Sequence, residues 1–317
     1  MSLVQKFFRL NNGNKIPAIS IIGTGTRWVK EVESAATFSD ALVNQLKYAL
    51  TLPGIIHIDA AEYYRTYPEV AKAISQTKKP RNEIFITDKY STTPKFTENP
   101  KVGIDSSLHK LGTNYIDLYL LHSPFITAEE HGFTLEEAWK QMEEIYKAGK
   151  AKNIGVSNFA TSDLERILKV AEVKPQVNQI EFNAFLQNQT PGIVKFCQDN
   201  DIQLEAYCPL GPLHMKPYDW KTQPFYKYLD KLATKYDKTH NQVLLRWVTE
   251  RGIIPVTTSS REYRIKNAHD IFSFSLTEEE VDEITRLGEE HQSQRMYWID
   301  QYGKYDQWIL KREKERG

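Results

Sequence analysis

Four apolar runs in this chain stop at polar residues of reactive type. Asp59 follows Ile55-Ile56-His57-Ile58, and Lys89 closes Ile84-Phe85-Ile86-Thr87-Asp88. His122 follows Leu118-Tyr119-Leu120-Leu121, and Ser157-Asn158 follow Ile154-Gly155-Val156. A carboxylate, an ammonium and an imidazole brought together can hold or move protons and stabilise growing negative charge. Taken singly, each has a plainer reading: a turn-forming aspartate, a surface lysine, a core histidine with satisfied hydrogen bonds. Their repeated placement at run ends is what points to one site. Other chemistries lack a motif. Gly23-Thr24-Gly25-Thr26-Arg27-Trp28 has the first two glycines of a dinucleotide fingerprint and no third at the required spacing. The chain contains no Gly-x-x-x-x-Gly-Lys-Ser/Thr phosphate loop and no His, Cys and carboxylate cluster at metal-ligand spacing, so no metal is expected.

The elements that must position these residues alternate in type. Short β-branched runs at Ala18–Ile22, Ile55–Ile58, Ile84–Thr87, Ile116–Leu121, Ala151–Val156, Val177–Glu181, Leu204–Tyr207 and Ile253–Val256 are separated by segments of helical period, such as Phe38–Leu50, Leu135–Ala148 and Leu164–Val170. Repeated strand-helix units build a parallel sheet, and eight strands is the barrel number. In such a barrel the carboxyl ends of the strands form the active-site face. Phe7–Leu10, Asn11-Asn12-Gly13-Asn14 and Lys15-Ile16 read as a β-hairpin outside the barrel wall, a lid or a plug. Thr277 with Glu280 forms a capping box that starts a last helix, ending near Leu287. The expected architecture is therefore an α/β protein, a (β/α)8 TIM barrel with an N-terminal β-hairpin and a C-terminal helix and loop, one domain over residues 1–317.

Charge narrows the partners. Lys plus Arg and Asp plus Glu each number 41 in 317 residues, so no basic surface advertises nucleic acid or an anionic membrane. A small-molecule ligand is expected, on a monomer or weak dimer. The two cysteines, Cys197 and Cys208, read as free thiols of a cytoplasmic protein, with no signal-like region and no apolar run of spanning length.

Together the motifs resemble the aldo-keto reductase family. Asp59-Ala60-Ala61-Glu62-Tyr63-Tyr64 is similar to the family's Asp-to-Tyr signature, Thr87-Asp88-Lys89 to its lysine strand, Leu120-Leu121-His122-Ser123-Pro124 to its histidine strand, and Ile154-Gly155-Val156-Ser157-Asn158-Phe159 to its cofactor-amide motif. Asn178-Gln179-Ile180-Glu181-Phe182 and Ala206-Tyr207-Cys208-Pro209-Leu210-Gly211 continue the match in order. Among family members, the stretches from Gly23 to Trp28 and from Leu121 to Phe125 are most similar to fungal reductases of α-keto amides, ketopantoyl lactone and conjugated polyketones.

The resemblance implies NADPH-dependent reduction of a small activated ketone or aldehyde by a tetrad of Asp59, Tyr64, Lys89 and His122. Hydride added to a carbonyl carbon leaves negative charge on oxygen, which a phenol can protonate. Tyr64 is the implied donor, with Tyr63 its rival; Lys89 is expected to lower the phenol's pKa from its ordinary ~10. Asp59 would keep Lys89 charged, and His122 would orient the carbonyl. The nicotinamide amide is assigned to Ser157, Asn158 and Gln179, the ring face to Tyr207, and nearby nucleotide contacts to Gly25 and Thr26. Cys208 and Pro212 stand where family members often carry serine, leaving pyrophosphate contacts to the backbone of Leu210 and Gly211. The eighth strand lacks the family's lysine, with Val256 in its place. Thr257, Thr258, Ser259, Ser260 and Arg264 would then meet the adenosine 2′-phosphate. Trp28, Phe125, Tyr297 and Trp298 would wall the substrate pocket. Two alternatives stand beside this reading: a Schiff-base lyase barrel using Lys89, and a non-catalytic or regulatory nucleotide-binding barrel.

Overall fold

The computed structural model describes residues 5–306. Strands β1 (Phe7–Arg9) and β2 (Lys15–Pro17) pair antiparallel through a turn in which Gly13 takes φ +88°, as a tight reversal requires. Eight further strands follow: β3 (Ile22–Gly23), β4 (Ile56–Asp59), β5 (Ile84–Tyr90), β6 (Leu118–Leu121), β7 (Ile154–Ser157), β8 (Val177–Glu181), β9 (Gln203–Tyr207) and β10 (Ile254–Pro255). Each pairs in parallel with its sequence neighbours. The sheet closes because Ser20 N donates to Pro255 O at 2.9 Å and Thr257 N donates to Ser20 O at 2.9 Å. The first and last barrel strands are shorter than their apolar runs. Pro255 has no N–H to offer across the seam, so the ladder there cannot be continuous.

The helices lie between strands, and their starts follow capping chemistry more closely than apolar period. Ser39 Oγ accepts from Leu42 N and sets the helix Asp40–Thr51, not Phe38. The helix Thr161–Val170 begins three residues before its first buried side chain, Leu164, because Asp163 caps the Ala160 N–H at 3.0 Å. Leu135–Lys147 buries Trp139 and Ile145 on one face, and Thr277 with Glu280 forms the expected capping box ahead of Glu278–Glu289. No helix among the described residues is long and apolar enough to cross a membrane.

Inside the barrel, side chains alternate inward and outward along each strand. Phe85, Leu118, Leu120, Val177 and Ile254 form one inner cluster with Leu10 and Ile16 of the hairpin. The hairpin is thus a plug on the barrel floor, and the opposite end is open. The same parity carries Asp59, Lys89, His122 and Gln179 inward at the carboxyl ends.

Candidate active site

Lys89 is fully buried, and its ammonium is surrounded by oxygen. Nζ donates to both Asp59 carboxylate oxygens at 2.8 Å and to Ala60 O at 2.9 Å, and reaches Tyr64 Oη at 3.4 Å. Burial alone would favour the neutral amine. Asp59 outweighs it, with help from Tyr64 and Glu205, and the lysine is held charged above its ordinary range. Tyr64 sits on the turn Glu62–Tyr64 that leaves β4, its ring edge-on to His122 with centroids 5.6 Å apart. The expected lowering of its pKa does not survive the sum. Burial raises the phenol, Lys89 pulls it down, Asp59 pushes it up again, and the result is about 12. The phenol therefore keeps its proton at neutral pH. His122 goes the other way: burial, reinforced by Lys89, takes its pKa well below the usual value and leaves the imidazole neutral.

Beneath the tetrad lies a second polar layer that its apolar sequence surroundings conceal. Gln179 Nε2 donates to Asp59 Oδ1 at 2.8 Å and to Glu205 Oε2 at 2.9 Å. Glu205 is buried, and its other oxygen stands 3.8 Å from His57 Nε2, which is paired with Thr87 Oγ1 at 2.8 Å. This is not an ion pair at pH 7. Burial first, then Asp59, raises Glu205 to about 8, while burial and Lys89 lower His57 to about 3. The two groups tilt stability in opposite directions. The His57 contribution is lost as pH falls from 6.5 through about 3, and that of Glu205 is lost as pH rises from 4.5 through about 8. Glu205→Gln should consequently flatten the alkaline side, recovering on the order of 2 kcal/mol between pH 6 and 8.5 in urea denaturation. Asp88 and Glu181, raised to about 6 and about 7, contribute equally to both proteins. An unchanged slope in the variant would rule out Glu205 as the group responsible.

A cavity of about 680 Å³ opens over this arrangement. Asp59, Tyr64 and His122 form its base, and Ser157, Asn158 and Gln179 one flank. Ser157 Oγ donates to Gln179 O at 2.9 Å. Asn158 is held in the left-handed region at φ 62° by several bonds: its Nδ2 donates to His122 O, and its Oδ1 accepts from Gln189 Nε2 at 3.0 Å and Tyr207 Oη at 2.8 Å. Tyr207, Leu210, Thr257 and Thr258 continue the wall, and Gly25 and Thr26 also line the cavity. Tyr297 and Trp298 come over the top from the C-terminal segment, and Tyr207 meets Tyr297 edge-on at 5.9 Å.

Other expected residues lie apart from the cavity. Trp28 is half-buried against the core beneath the Arg27 guanidinium, and Phe125 packs at a tilt behind Trp298, ring centroids 5.3 Å apart. Gly211 is buried against the Asn183 amide. Ser259 and Ser260 lie beyond the wall, and Arg264 is exposed on the helix Glu262–His269 with Nε 3.2 Å from Tyr263 Oη. Cys197 is buried, while Cys208 faces the cavity; both are free. Ser91, Thr92 and Thr93 line the cavity just past Lys89, and Val29, His214 and Met296 line it elsewhere; no sequence motif marks these six. The hydroxyl run after β5 carried a usable signal, since it follows a strand end already marked by Lys89.

The residues present fit a dinucleotide: amide donors and acceptors beside the tetrad, an aromatic plane next to them, and a hydroxyl-bearing loop at the far end. A solved aldo-keto reductase of Bombyx mori in complex with NADP superposes with a TM-score of 0.78 at 31% identity, covering 96% of this chain and 99% of that one. The NADPH-dependent alpha-keto amide reductase of Saccharomyces cerevisiae is 65% identical over 306 residues, 96% of this chain and 98% of the relative. An NAD/NADP-dependent indole-3-acetaldehyde reductase of Schizosaccharomyces pombe is 38% identical over 88% of this chain and 94% of its own length. With the Aldo/keto reductase family model matching residues 21–289, from the barrel's first strand to its last helix, the chain belongs to the aldo/keto reductase family.

Proposed function

We propose that this protein uses NADPH to reduce small activated ketones and aldehydes, of the α-dicarbonyl, α-keto amide, ketopantoyl lactone or conjugated polyketone type, to alcohols. The observation that carries the proposal is the Lys89 ammonium held between Asp59 and the Tyr64 phenol at the base of an open cavity. Bound NADPH supplies the hydride. Ser157, Asn158 and Gln179 would hold its amide, and Tyr207 would support the ring face. Tyr64 gives its proton to the carbonyl oxygen, and the phenolate left behind is stabilised by the ammonium of Lys89. His122, being neutral, donates an N–H to orient the carbonyl and does not compete as the acid. A Schiff-base role for Lys89 would require a free amine, whereas two carboxylate contacts of 2.8 Å keep it charged.

The alpha-keto amide activity in the name of the yeast relative and the apolar faces of Tyr297 and Trp298 favour a compact, electron-poor carbonyl over a polyol. Cofactor absorbance followed across a substrate panel tests this directly. Faster turnover of an open-chain aldopentose than of a cyclic α-dicarbonyl would refute the substrate class, and no NADPH oxidation with any carbonyl would refute the activity.

Preference for NADPH over NADH would rest on the loop from Thr257 to Ser260 and on Arg264. The Arg264 guanidinium lies in solvent at the start of a helix, a favourable place to meet an anion but one where water screens the gain. Arg264→Ala should weaken NADPH binding about tenfold and leave NADH nearly unchanged, a difference of roughly 1.4 kcal/mol. Equal losses for the two nucleotides in fluorescence titrations would remove this arginine from 2′-phosphate recognition.

A further inference from the structure

Glu181 ends β8 with a completely buried carboxylate that takes no part in the tetrad. Its two oxygens accept from consecutive backbone amides of the C-terminal segment, Met296 N at 2.7 Å and Tyr297 N at 3.1 Å. The residues so held, with Trp298 next to them, are the ones that reach the cavity from above. Trp298 itself sits at φ 56°, a strained conformation for a bulky side chain that persists only where the surroundings impose it. The other ties flank this point: Arg295 donates to Gln189 O at 2.8 Å and pairs with Asp306 at 3.0 Å, and Tyr302 Oη donates to Asn158 O at 2.5 Å.

We propose that Glu181 is a positioning residue for substrate recognition, a carboxylate clamp reaching from the barrel to fix the Met296-Tyr297-Trp298 wall over the reacting carbonyl. The proposal rests on the reductase reading of the cavity, in which that wall meets the substrate. Two charge-assisted bonds to adjacent amides fix both the height and the rotation of a segment that has no barrel strand of its own. Substrates that reach the wall should feel its loss, and compact ones should not.

The clamp is also sensitive to acid. Burial raises Glu181 to about 7, against the opposing effect of the two amides and Arg295. The groups facing it are Arg295, Asp306 and Tyr297 from the C-terminal segment, Tyr207 at the end of β9 and Cys208 just past it. The phenols and the thiol are pushed up from their ordinary values, away from the neutral range. Protonated Glu181 retains one good acceptor in place of two.

The test compares Glu181→Gln with the wild type at pH 8, using an aromatic α-keto amide and 2,3-butanedione as the bulky and compact ketones. The KM for the bulky ketone should rise fivefold or more, while the KM for butanedione and the Kd for NADPH stay within twofold. In a Trp298→Ala background the same substitution should add nothing. Wild-type KM for the bulky ketone should climb from pH 8 to pH 6, and that of the variant should not. The wild-type half of this pH comparison needs no variant to fold. Equal KM increases for both ketones, additive effects with Trp298→Ala, or a flat wild-type profile would overturn the clamp. Hydrogen exchange of the peptide covering 294–300 separates this proposal from the functional one. If the wild type reduces neither ketone, the reductase reading fails, while faster exchange in Glu181→Gln still supports the clamp and unchanged exchange overturns it.

Discussion

Tyr64→Phe should cut carbonyl reduction by ~10²–10⁴-fold, the range for loss of a positioned general acid, with NADPH affinity changed less than twofold. The substitution removes one oxygen and little else. Lys89 keeps both bonds to Asp59 and its bond to Ala60 O, so the charged pair stays assembled. The ring keeps its place beside Gly25 and His122. His122 cannot take over as acid, because burial and Lys89 keep it neutral throughout the working range. The rival phenol supplies the control. Tyr63 also faces the cavity, but its side is exposed and its ring is 6.3 Å from that of His122, with no contact to Lys89. Tyr63→Phe should therefore keep turnover near that of the wild type. Stopped-flow and steady-state rates with a cyclic diketone decide between the two; a catalytic Tyr64→Phe beside an inactive Tyr63→Phe would reverse the assignment. The pH profile adds a second check. With Tyr64 at about 12, reduction should show no limb from this group between pH 6 and 9.

The barrel and the gathering of Asp59, Lys89 and His122 at its open end were legible because both depend on local rules. Period-two alternation fixes which side chains enter the barrel, and a polar residue at the end of an apolar run marks the open face. That logic points to Asp59, Lys89, His122 and Ser157-Asn158 from sequence alone. It passed over His57 and Glu205, which have the same inward parity but lie inside strand runs, where a single polar residue looks like an outward-facing one. It also missed Glu181 as an anchor, since its partners are backbone amides 115 and 116 residues away and leave no side-chain signature. The pKa of Tyr64 failed for a different reason. Sequence supplied the neighbouring ammonium but not the depth of burial, and burial is the larger effect. Aromatic residues near an active site suit a pocket, which is why the sequence points to Trp28 and Phe125 as cavity walls; in the structure one packs against the core and the other supports Trp298 from behind.

Gly25→Ala should lower kcat by about 100-fold without a comparable loss of stability. Gly25 belongs to an incomplete nucleotide fingerprint, yet its φ of −90° is outside the left-handed region that favours glycine. Space is the constraint. A Cβ at this position would lie 2.7 Å from Tyr64 Cζ and 2.9 and 3.0 Å from the two flanking ring carbons, closer than unbonded carbons approach. Either the phenol or the Gly25 turn must shift. The turn is tied by Gly23 N to Thr257 O at 2.9 Å and by Thr24 N to Asp59 O at 2.8 Å, so the ring is the part that can give. A displacement of about 1 Å is enough to cost ~10²-fold when a proton donor must meet a reacting oxygen. Gly23→Ala provides the matched comparison. Its Cβ would meet Thr257 O at 3.7 Å and Thr258 Cβ at 3.8 Å, ordinary contacts, although Gly23 lines the same cavity. Its kcat should remain within about threefold of the wild type, on the same reasoning that only a displaced donor slows proton transfer. Thermal denaturation of all three proteins separates a displaced donor from a damaged fold. If Gly23→Ala and Gly25→Ala lose kcat alike, or if Gly25→Ala keeps it, the glycine is there for the cofactor or the backbone and not for the tyrosine.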